Sequence, residues 1–236
     1  MAPAASLPSW PPHSVLVVVA HPDDESFGLG GIIASLTETG VPVDVVCFTR
    51  GEASTLGAGT RDLAAVRADE LTRAAAVLGV RRVQLLDHPD GALASQSLED
   101  LAGTVVTAAA QCGADALLTF DHGGITGHPD HQRATDAALS AGERLDLAVL
   151  GWAIPQPVAA ALNTEFATGF VGRTADEVDH WLPVDRDVQQ HAILCHASQA
   201  TDNPVLARRL ALMQGAEALR VLRHPSHDRS SAPSTR

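Results

Sequence analysis

The chain has 236 residues, a formal net charge of −12 at pH 7 and a hydrophobic fraction of 45 %. The acidic balance argues against a nucleic-acid footprint or a polybasic membrane patch, and the hydrophobic fraction excludes global disorder. Aromatic residues make up 3 % of the chain and tyrosine is absent, so stacking platforms for bases or long glycans must be sparse. No apolar run approaches the roughly 20 residues that a membrane helix needs. Eleven histidines in an acidic protein point towards metal or acid–base chemistry.

The three cysteines, Cys47, Cys112 and Cys195, are far apart and none lies in a CxxC motif. This spacing favours neither a disulfide framework nor a thiolate zinc site. The first residues are rich in Ala, Pro and Ser and lack the basic and apolar regions of a signal peptide. We therefore expect a cytoplasmic protein.

Strands and helices alternate through residue 152. Val15–Ala20 is a continuous apolar run rich in β-branched residues, as expected for a strand that is covered on both faces. The alternation predicts a parallel, three-layer α/β domain. Further strands are predicted over Val43–Thr49, Arg82–Leu86, Ala116–Phe120 and Leu147–Trp152, and helices over Ser26–Thr39, Arg61–Leu78, Ser97–Gln111 and His131–Ser140.

The pattern weakens beyond Trp152, where Pro155, Pro157 and Pro183 interrupt it. A strand is predicted there over Val178–Val184, and helices over Val188–His196 and Pro204–Gln214. We expect one domain over residues 14–225, made of a core at 14–152 and an extension at 153–225. Residues 1–13 are predicted to be a flexible lead-in, and residues 226–236 a flexible tail.

The first strand is followed by His21-Pro22-Asp23-Asp24-Glu25. Three carboxylates would repel a pyrophosphate, and the nearby glycines do not make a GxGxxG fingerprint, which argues against a nicotinamide oxidoreductase. His21 and Asp24 are three residues apart, so they can converge on one divalent metal while Asp23 points elsewhere, towards water. Alternatively, Asp23 and Asp24 only cap the following helix. On this segment alone the two interpretations carry about equal weight.

The fourth strand is followed by a loop that contains His128, Asp130 and His131. In this topology the loop can lie beside the end of the first strand, at the carboxyl edge where open parallel sheets bind ligands. One of the two histidines can complete a three-ligand zinc site, and the other can serve as an acid or an electrostatic clamp. Asp130 would orient an imidazole. Exposed loop histidines are the less favoured alternative, because two such segments follow equivalent strands.

A third segment, His88-Pro89-Asp90, follows the third strand. It lacks a second acid or histidine and is not predicted to be a ligand set. Asp90 could contact substrate, and a simple Pro-Asp-Gly turn is at least as well supported.

Ala20-His21-Pro22-Asp23-Asp24-Glu25, together with Gly127-His128-Pro129-Asp130-His131, resembles the LmbE-like, or PIG-L, family of zinc deacetylases. That family includes the N-acetylglucosaminyl-phosphatidylinositol de-N-acetylases and the deacetylases of mycothiol and bacillithiol synthesis. The resemblance covers about residues 15–140. Further matching segments are Thr49–Glu52, Arg67–Leu71 and the late His196-Ala197-Ser198-Gln199.

The resemblance implies a Rossmann-like three-layer α/β/α fold with a mainly parallel sheet that binds no dinucleotide. It also implies one Zn²⁺ per chain, although other divalent metals suit the same ligand types. The implied metal ligands are His21, Asp24 and His131, with Asp23 as general base and His128 as a positively charged acid or oxyanion clamp. The implied substrate contacts are Arg67, Asp90 and His196.

The sequence departs from the family pattern at Thr126, which stands where the mycothiol-pathway deacetylase has a tyrosine.

The leading hypothesis for the function is removal of an N-acetyl group from an amino-sugar conjugate, a small molecule. The alternatives are an amidase that cleaves a larger acyl group or acts on a non-sugar N-acyl substrate, and a zinc- or nucleoside-binding protein without turnover. No nucleic-acid or membrane partner is expected, and assembly into a homo-oligomer is left open.

Overall fold

The structure is a computed structural model that describes residues 11–57 and 59–226. Most of the predicted lead-in and tail lies outside the described residues. Within these residues, eight strands form the sheet: β1 Val15–Val19, β2 Val43–Thr49, β3 Arg82–His88, β4 Ala116–Phe120, β5 Ala148–Pro155, β6 Gly172–Arg173, β7 His180–Pro183 and β8 Ala216–Arg223.

The strand order is β3-β2-β1-β4-β5-β8-β7, with β6 pairing beside β5. Neighbours from β3 to β5 are parallel, whereas β8 runs antiparallel to both β5 and β7. The chain winds from β1 outwards to β3, then returns to place β4 on the other side of β1. The topology therefore reverses between β1 and β4.

Ten helices flank the sheet in the described part of the chain: α1 Asp24–Phe27, α2 Gly30–Glu38, α3 Leu63–Val77, α4 Leu98–Cys112, α5 Gly124–Gly127, α6 Pro129–Leu145, α7 Gln156–Phe166, α8 Arg186–Cys195, α9 Ala197–Ala200 and α10 Pro204–Met213. Among the described residues, no helix combines the length and apolar composition needed to cross a membrane.

Side chains of β1 alternate between two apolar layers, as the pleat of a strand requires. Val17 belongs to a buried cluster that includes Ile32 of α2, and Leu16 belongs to a second cluster that includes Leu101 of α4. The β1 strand is thus covered on both faces. The predicted three-layer α/β/α fold with a mainly parallel sheet is confirmed.

Three local predictions were wrong. The helix predicted over 26–39 is two helices, α1 and α2, separated at Gly28 and Leu29. The α6 helix begins at Pro129 rather than at His131, because proline suits a first helical turn and the His128 side chain caps it. The prolines after Trp152 were expected to interrupt regular structure, but Pro157 lies in the first turn of the helix α7. The sequence analysis also missed β8. The predicted single domain over 14–225 stays a prediction.

Candidate functional site

The candidate site lies at the carboxyl ends of β1 and β4, which are hydrogen-bonded neighbours. Ligand sites of open parallel sheets lie at such a reversal of strand order, because the loops from the two neighbouring strands diverge there and leave a crevice. His21, Asp23 and Asp24 come from the loop after β1. His128, Asp130 and His131 come from the loop after β4 and the start of α6. The fold therefore brings together the two segments that the sequence singled out.

His21, Asp24 and His131 converge at the centre of the site. The Nε2 atom of His131 lies 3.1 Å from Oδ1 of Asp24 and 3.1 Å from Nδ1 of His21. One donor atom from each residue lies within 4.8 Å of the others, and His21 and Asp24 are buried. Two imidazoles and one carboxylate form a donor set that suits a catalytic zinc site, which keeps a further position open. These three residues could hold a metal ion.

The far side of the His21 ring is held by carboxylates. Its Nε2 atom lies 3.0 Å from Oδ1 of Asp90 and 3.3 Å from Oδ2 of Asp130. Asp130 is fully buried and also accepts hydrogen bonds from the backbone N–H groups of Gly91 and Leu93. A carboxylate behind a ligating histidine fixes the ring's tautomer and makes the other nitrogen a better ligand.

These contacts perturb the acids and imidazoles of the cluster. Burial acts to raise the pKa of Asp24, but the charge and hydrogen bond of His131 outweigh it and hold the pKa well below its usual range. Burial also acts to lower the pKa of His21, but hydrogen bonds to Asp130, Asp24 and Asp90 raise it well above its usual value. These shifts favour the ionised carboxylate of Asp24 and the protonated ring of His21.

Asp23 has the left-handed backbone angle φ 112°, which a non-glycine residue rarely adopts. Its carboxylate accepts a hydrogen bond of 2.9 Å from Nη2 of Arg67. Burial raises the pKa of Asp23 to about 6, although the charge of Arg67 opposes the shift. A carboxylate that has a pKa near neutrality and stands on a strained backbone is typical of a general base.

His128 differs from the expectation of a positive charge. Its Nδ1 accepts a hydrogen bond from the backbone N–H of Asp130, at 3.2 Å. Burial, together with the neighbouring His131 and His21, lowers its pKa. Both features favour the neutral ring with its proton on Nε2. Such a ring can still donate a hydrogen bond to a developing oxyanion. The carboxylate of Asp130 contacts His21, so His21 is the imidazole that it orients.

Arg67 and His196, which the resemblance places near substrate, lie in the protein interior. Arg67 is 3 % exposed and donates to the backbone carbonyls of Gly51 and Pro22 as well as to Asp23. His196 is fully buried, and its Nε2 lies 2.7 Å from Oε1 of Glu25. These positions indicate bracing of the loops around the site. A direct contact of Arg67, Asp90 or His196 with substrate stays a prediction.

The sequence analysis missed the role of Glu25. It is fully buried; its Oε2 accepts the backbone N–H of Asp23 at 3.0 Å, and its Oε1 accepts the hydroxyl of Ser26 at 2.6 Å. Glu70 was likewise missed, although it accepts both the N–H and the hydroxyl of Ser198. Both acids lie in segments that resemble the LmbE-like family. That resemblance was the only feature of the sequence that could have indicated their roles.

The fold and the site together define a Rossmann-like α/β protein without a dinucleotide fingerprint and with a His/Asp cluster at the β1–β4 reversal. Residues 16–142 match the PIG-L family, described as GlcNAc-PI de-N-acetylase. The chain belongs to this family.

Two curated relatives are similar in sequence. A probable N-acetyl-alpha-D-glucosaminyl L-malate deacetylase 2 from Bacillus anthracis is 31 % identical over 132 residues, covering 54 % of this chain and 58 % of the relative. A 1D-myo-inositol 2-acetamido-2-deoxy-alpha-D-glucopyranoside deacetylase from Salinispora arenicola is 30 % identical over 241 residues, covering 82 % of this chain and 78 % of the relative. The chain thus spans less than two thirds of the Bacillus relative.

Among solved structures, the N,N'-diacetylchitobiose deacetylase from Pyrococcus horikoshii superposes with a TM-score of 0.67 at 20 % identity. The match covers 91 % of this chain and 85 % of that protein. At this identity the similarity establishes the shared fold.

Proposed function

We propose that this protein is a zinc-dependent hydrolase that removes an N-acetyl group from an amino-sugar conjugate, releasing acetate and a free amine. The observation that carries the proposal is the convergence of His21, Asp24 and His131 next to Asp23, a partly buried carboxylate whose pKa is raised to about 6. Family membership supports the same class of reaction, because the similar relatives carry deacetylase names.

A divalent cation held by His21, Asp24 and His131 would act as a Lewis acid towards the amide carbonyl and make water more acidic. Asp23 would accept the proton of the attacking water, and Arg67 would hold the Asp23 carboxylate in place through its 2.9 Å hydrogen bond. The Nε2–H group of His128 would donate to the oxygen that gains charge as the carbonyl becomes tetrahedral. The C–N bond then breaks, and the amine takes the proton that Asp23 accepted from the water, because the neutral ring of His128 has no proton acidic enough to give.

Zinc is proposed because two imidazoles and a carboxylate suit it, with one ion per chain. The substrate is proposed to be a small amino-sugar conjugate, by analogy with the names of the relatives. A cytoplasmic location is proposed because all three cysteines are free thiols, as is usual in a reducing compartment.

The test is acetate release from a panel of N-acetylglucosamine compounds, each with and without a chelator. The panel contains the free sugar, chitobiose, and inositol-linked, malate-linked and nucleotide-linked sugars. We expect chelator-sensitive acetate from at least one member, and the best member identifies the acceptor. Absence of acetate from every member, with metal shown to be bound, would contradict the proposal.

A further inference from the structure

A cavity of about 170 Å³ opens beside the candidate metal ligands, and Asp24 and His131 form part of its wall. The remainder of the wall is mainly apolar and includes Phe27, Phe120, Trp152, Phe170, Val205 and Leu206. The cavity lies between the sheet and α10, on the side of the site that the late third of the chain provides. The proposed chemistry does not need a cavity of this size, because an acetyl group carries a single methyl.

Aromatic rings lead from the metal ligands into the cavity. The ring of Phe120 lies edge-on to His131, with centroids 4.7 Å apart, and its centroid is 5.6 Å from that of Trp152. Gly28 leaves room for these rings, since a Cβ there would meet Cε1 of Phe120 at 2.6 Å. The space next to the reacting centre is thus shaped by close ring packing.

The part of the site around Asp90, which does not line the cavity, is polar. Asp90 contacts His21 there, and its Oδ2 accepts the backbone N–H of Ala53, while Glu52 accepts the backbone N–H of Asp90. Sugar hydroxyls need hydrogen-bonding partners, and burying them against aromatic rings without partners would cost free energy. The amine-bearing sugar therefore suits the polar side, and the acyl chain suits the apolar cavity.

Arg209, the cationic side chain of the wall, is engaged by the protein. Its guanidinium lies 4.8 Å from the centre of the Trp152 ring and donates to the carbonyl of Phe27. Its Nη1 has no hydrogen-bond partner among the described residues, but less than 1 Å² of that atom is exposed, so a ligand in the cavity would scarcely touch it. Asn203, a further polar residue of the wall, hydrogen-bonds the carbonyl of Gln199 and the backbone N–H of Leu206. The surface that a ligand would touch is therefore supplied mainly by apolar atoms.

From this geometry we infer that the cavity is an acyl pocket, and that the protein hydrolyses amides of unbranched acyl chains of up to about six carbons faster than it hydrolyses N-acetyl amides. An apolar cavity of roughly 150 Å³ holds a benzene molecule, so this one has room for a chain of about six carbons. The inference rests on the proposed function, since it specifies the acyl group at the same site.

The test compares N-acetyl-, N-butanoyl-, N-hexanoyl- and N-decanoylglucosamine, with amine release as the common readout. Burial of each methylene should raise kcat/KM about fourfold up to six carbons, and the decanoyl compound should lose the gain. A steady fall in kcat/KM from acetyl to hexanoyl would overturn the inference. N-Succinylglucosamine hydrolysed faster than the butanoyl compound would also overturn it, because the Arg209 charge would then set the preference.

Variants of the cavity wall test whether the preference for longer acyl chains arises in the cavity. Val205→Phe adds bulk to the wall and should lower the ratio of hexanoyl to acetyl kcat/KM by about tenfold. The matched control is Val77→Phe, at a 39 % exposed position on α3, which should leave the ratio unchanged. If Val205→Phe does not fold, Val205→Leu tests the same wall with a smaller addition. An unchanged ratio in a folded Val205 variant would contradict the inference.

Binding separates this inference from the proposed function. Hexanamide should change the intrinsic tryptophan fluorescence saturably, because Trp152 lines the cavity, and Val205→Phe should weaken the binding. If no amide is cleaved but hexanamide binds in this way, the proposed function fails and the pocket assignment stands. If acetyl compounds are cleaved and hexanamide does not bind, the acyl pocket is wrong and the proposed function stands.

Discussion

The carboxylate of Glu25 accepts the backbone N–H of Asp23 at 3.0 Å, and thereby supports the left-handed backbone of the candidate base. The other oxygen of Glu25 binds Nε2 of His196 at 2.7 Å. Through this chain of contacts, a residue late in the sequence supports the geometry of the loop after β1. A strained backbone of this kind persists only where contacts with the surrounding structure hold it in place.

The Glu25–His196 pair should be energetically coupled, because both side chains are fully buried. In a double-mutant cycle with Glu25→Gln and His196→Gln, we expect a coupling free energy of unfolding of about 1–3 kcal/mol by urea denaturation. The exposed pair Glu99–Arg144 is the control, with an expected coupling below about 1 kcal/mol. Additive effects at Glu25 and His196 would refute the proposed support.

The Asp23→Asn variant should lose most of its turnover while its metal content stays near that of the unmodified protein. General-base catalysis contributes about 10²–10⁴-fold, and asparagine cannot accept the proton. The measurement is kcat together with metal analysis of the same sample. The exposed Asp69→Asn on α3 is the control and should keep its rate. Near-normal turnover by Asp23→Asn would show that another group is the base.

Metal content should depend on the three converging residues. His131→Ala should lose most of the about one zinc ion per chain expected after dialysis, because two remaining donors hold the ion poorly. His191→Ala removes an exposed histidine on α8 and should retain the metal. The measurement is atomic emission on dialysed protein. Full zinc occupancy in both His131→Ala and a matching His21→Ala variant would exclude this ligand set.

Gly51→Ala should disturb the site through Arg67. A Cβ at Gly51, where φ is +66°, would lie 2.0 Å from Nη1 of Arg67, the side chain that holds Asp23. Gly113→Ala is the control, because φ there is +65° and nothing lies within 4 Å of the added atom. Both variants should lose about 1–2 kcal/mol of unfolding free energy from backbone strain. Only Gly51→Ala should also lose turnover, and equal kcat values in the two would contradict this.

The buried Asp121 should make stability fall in acid. Burial acts to raise its pKa, but hydrogen bonds from Arg220 and Arg173 outweigh it and lower the pKa. A depressed pKa in the folded state stabilises the fold above the unfolded value of about 3.9, and this contribution is lost as pH falls through the folded pKa. The difference in unfolding free energy between the unmodified protein and Asp121→Asn should therefore be constant above about pH 5 and shrink below about pH 4. A difference independent of pH down to about pH 2 would contradict the assignment.

The sequence by itself determined the alternating strands and helices as far as residue 152, since buried parallel strands such as β1 are continuous apolar runs that local pattern reveals. It also identified the two segments that carry the candidate metal ligands, because their residue types are unusual at strand ends. Only the tertiary structure decided the partners of Glu25, Arg67 and His196. Those contacts join residues up to 171 positions apart, and local periodicity carries no information about such pairs. The acyl cavity likewise depends on α10 packing beside β4 and β5, so its shape is a property of the fold.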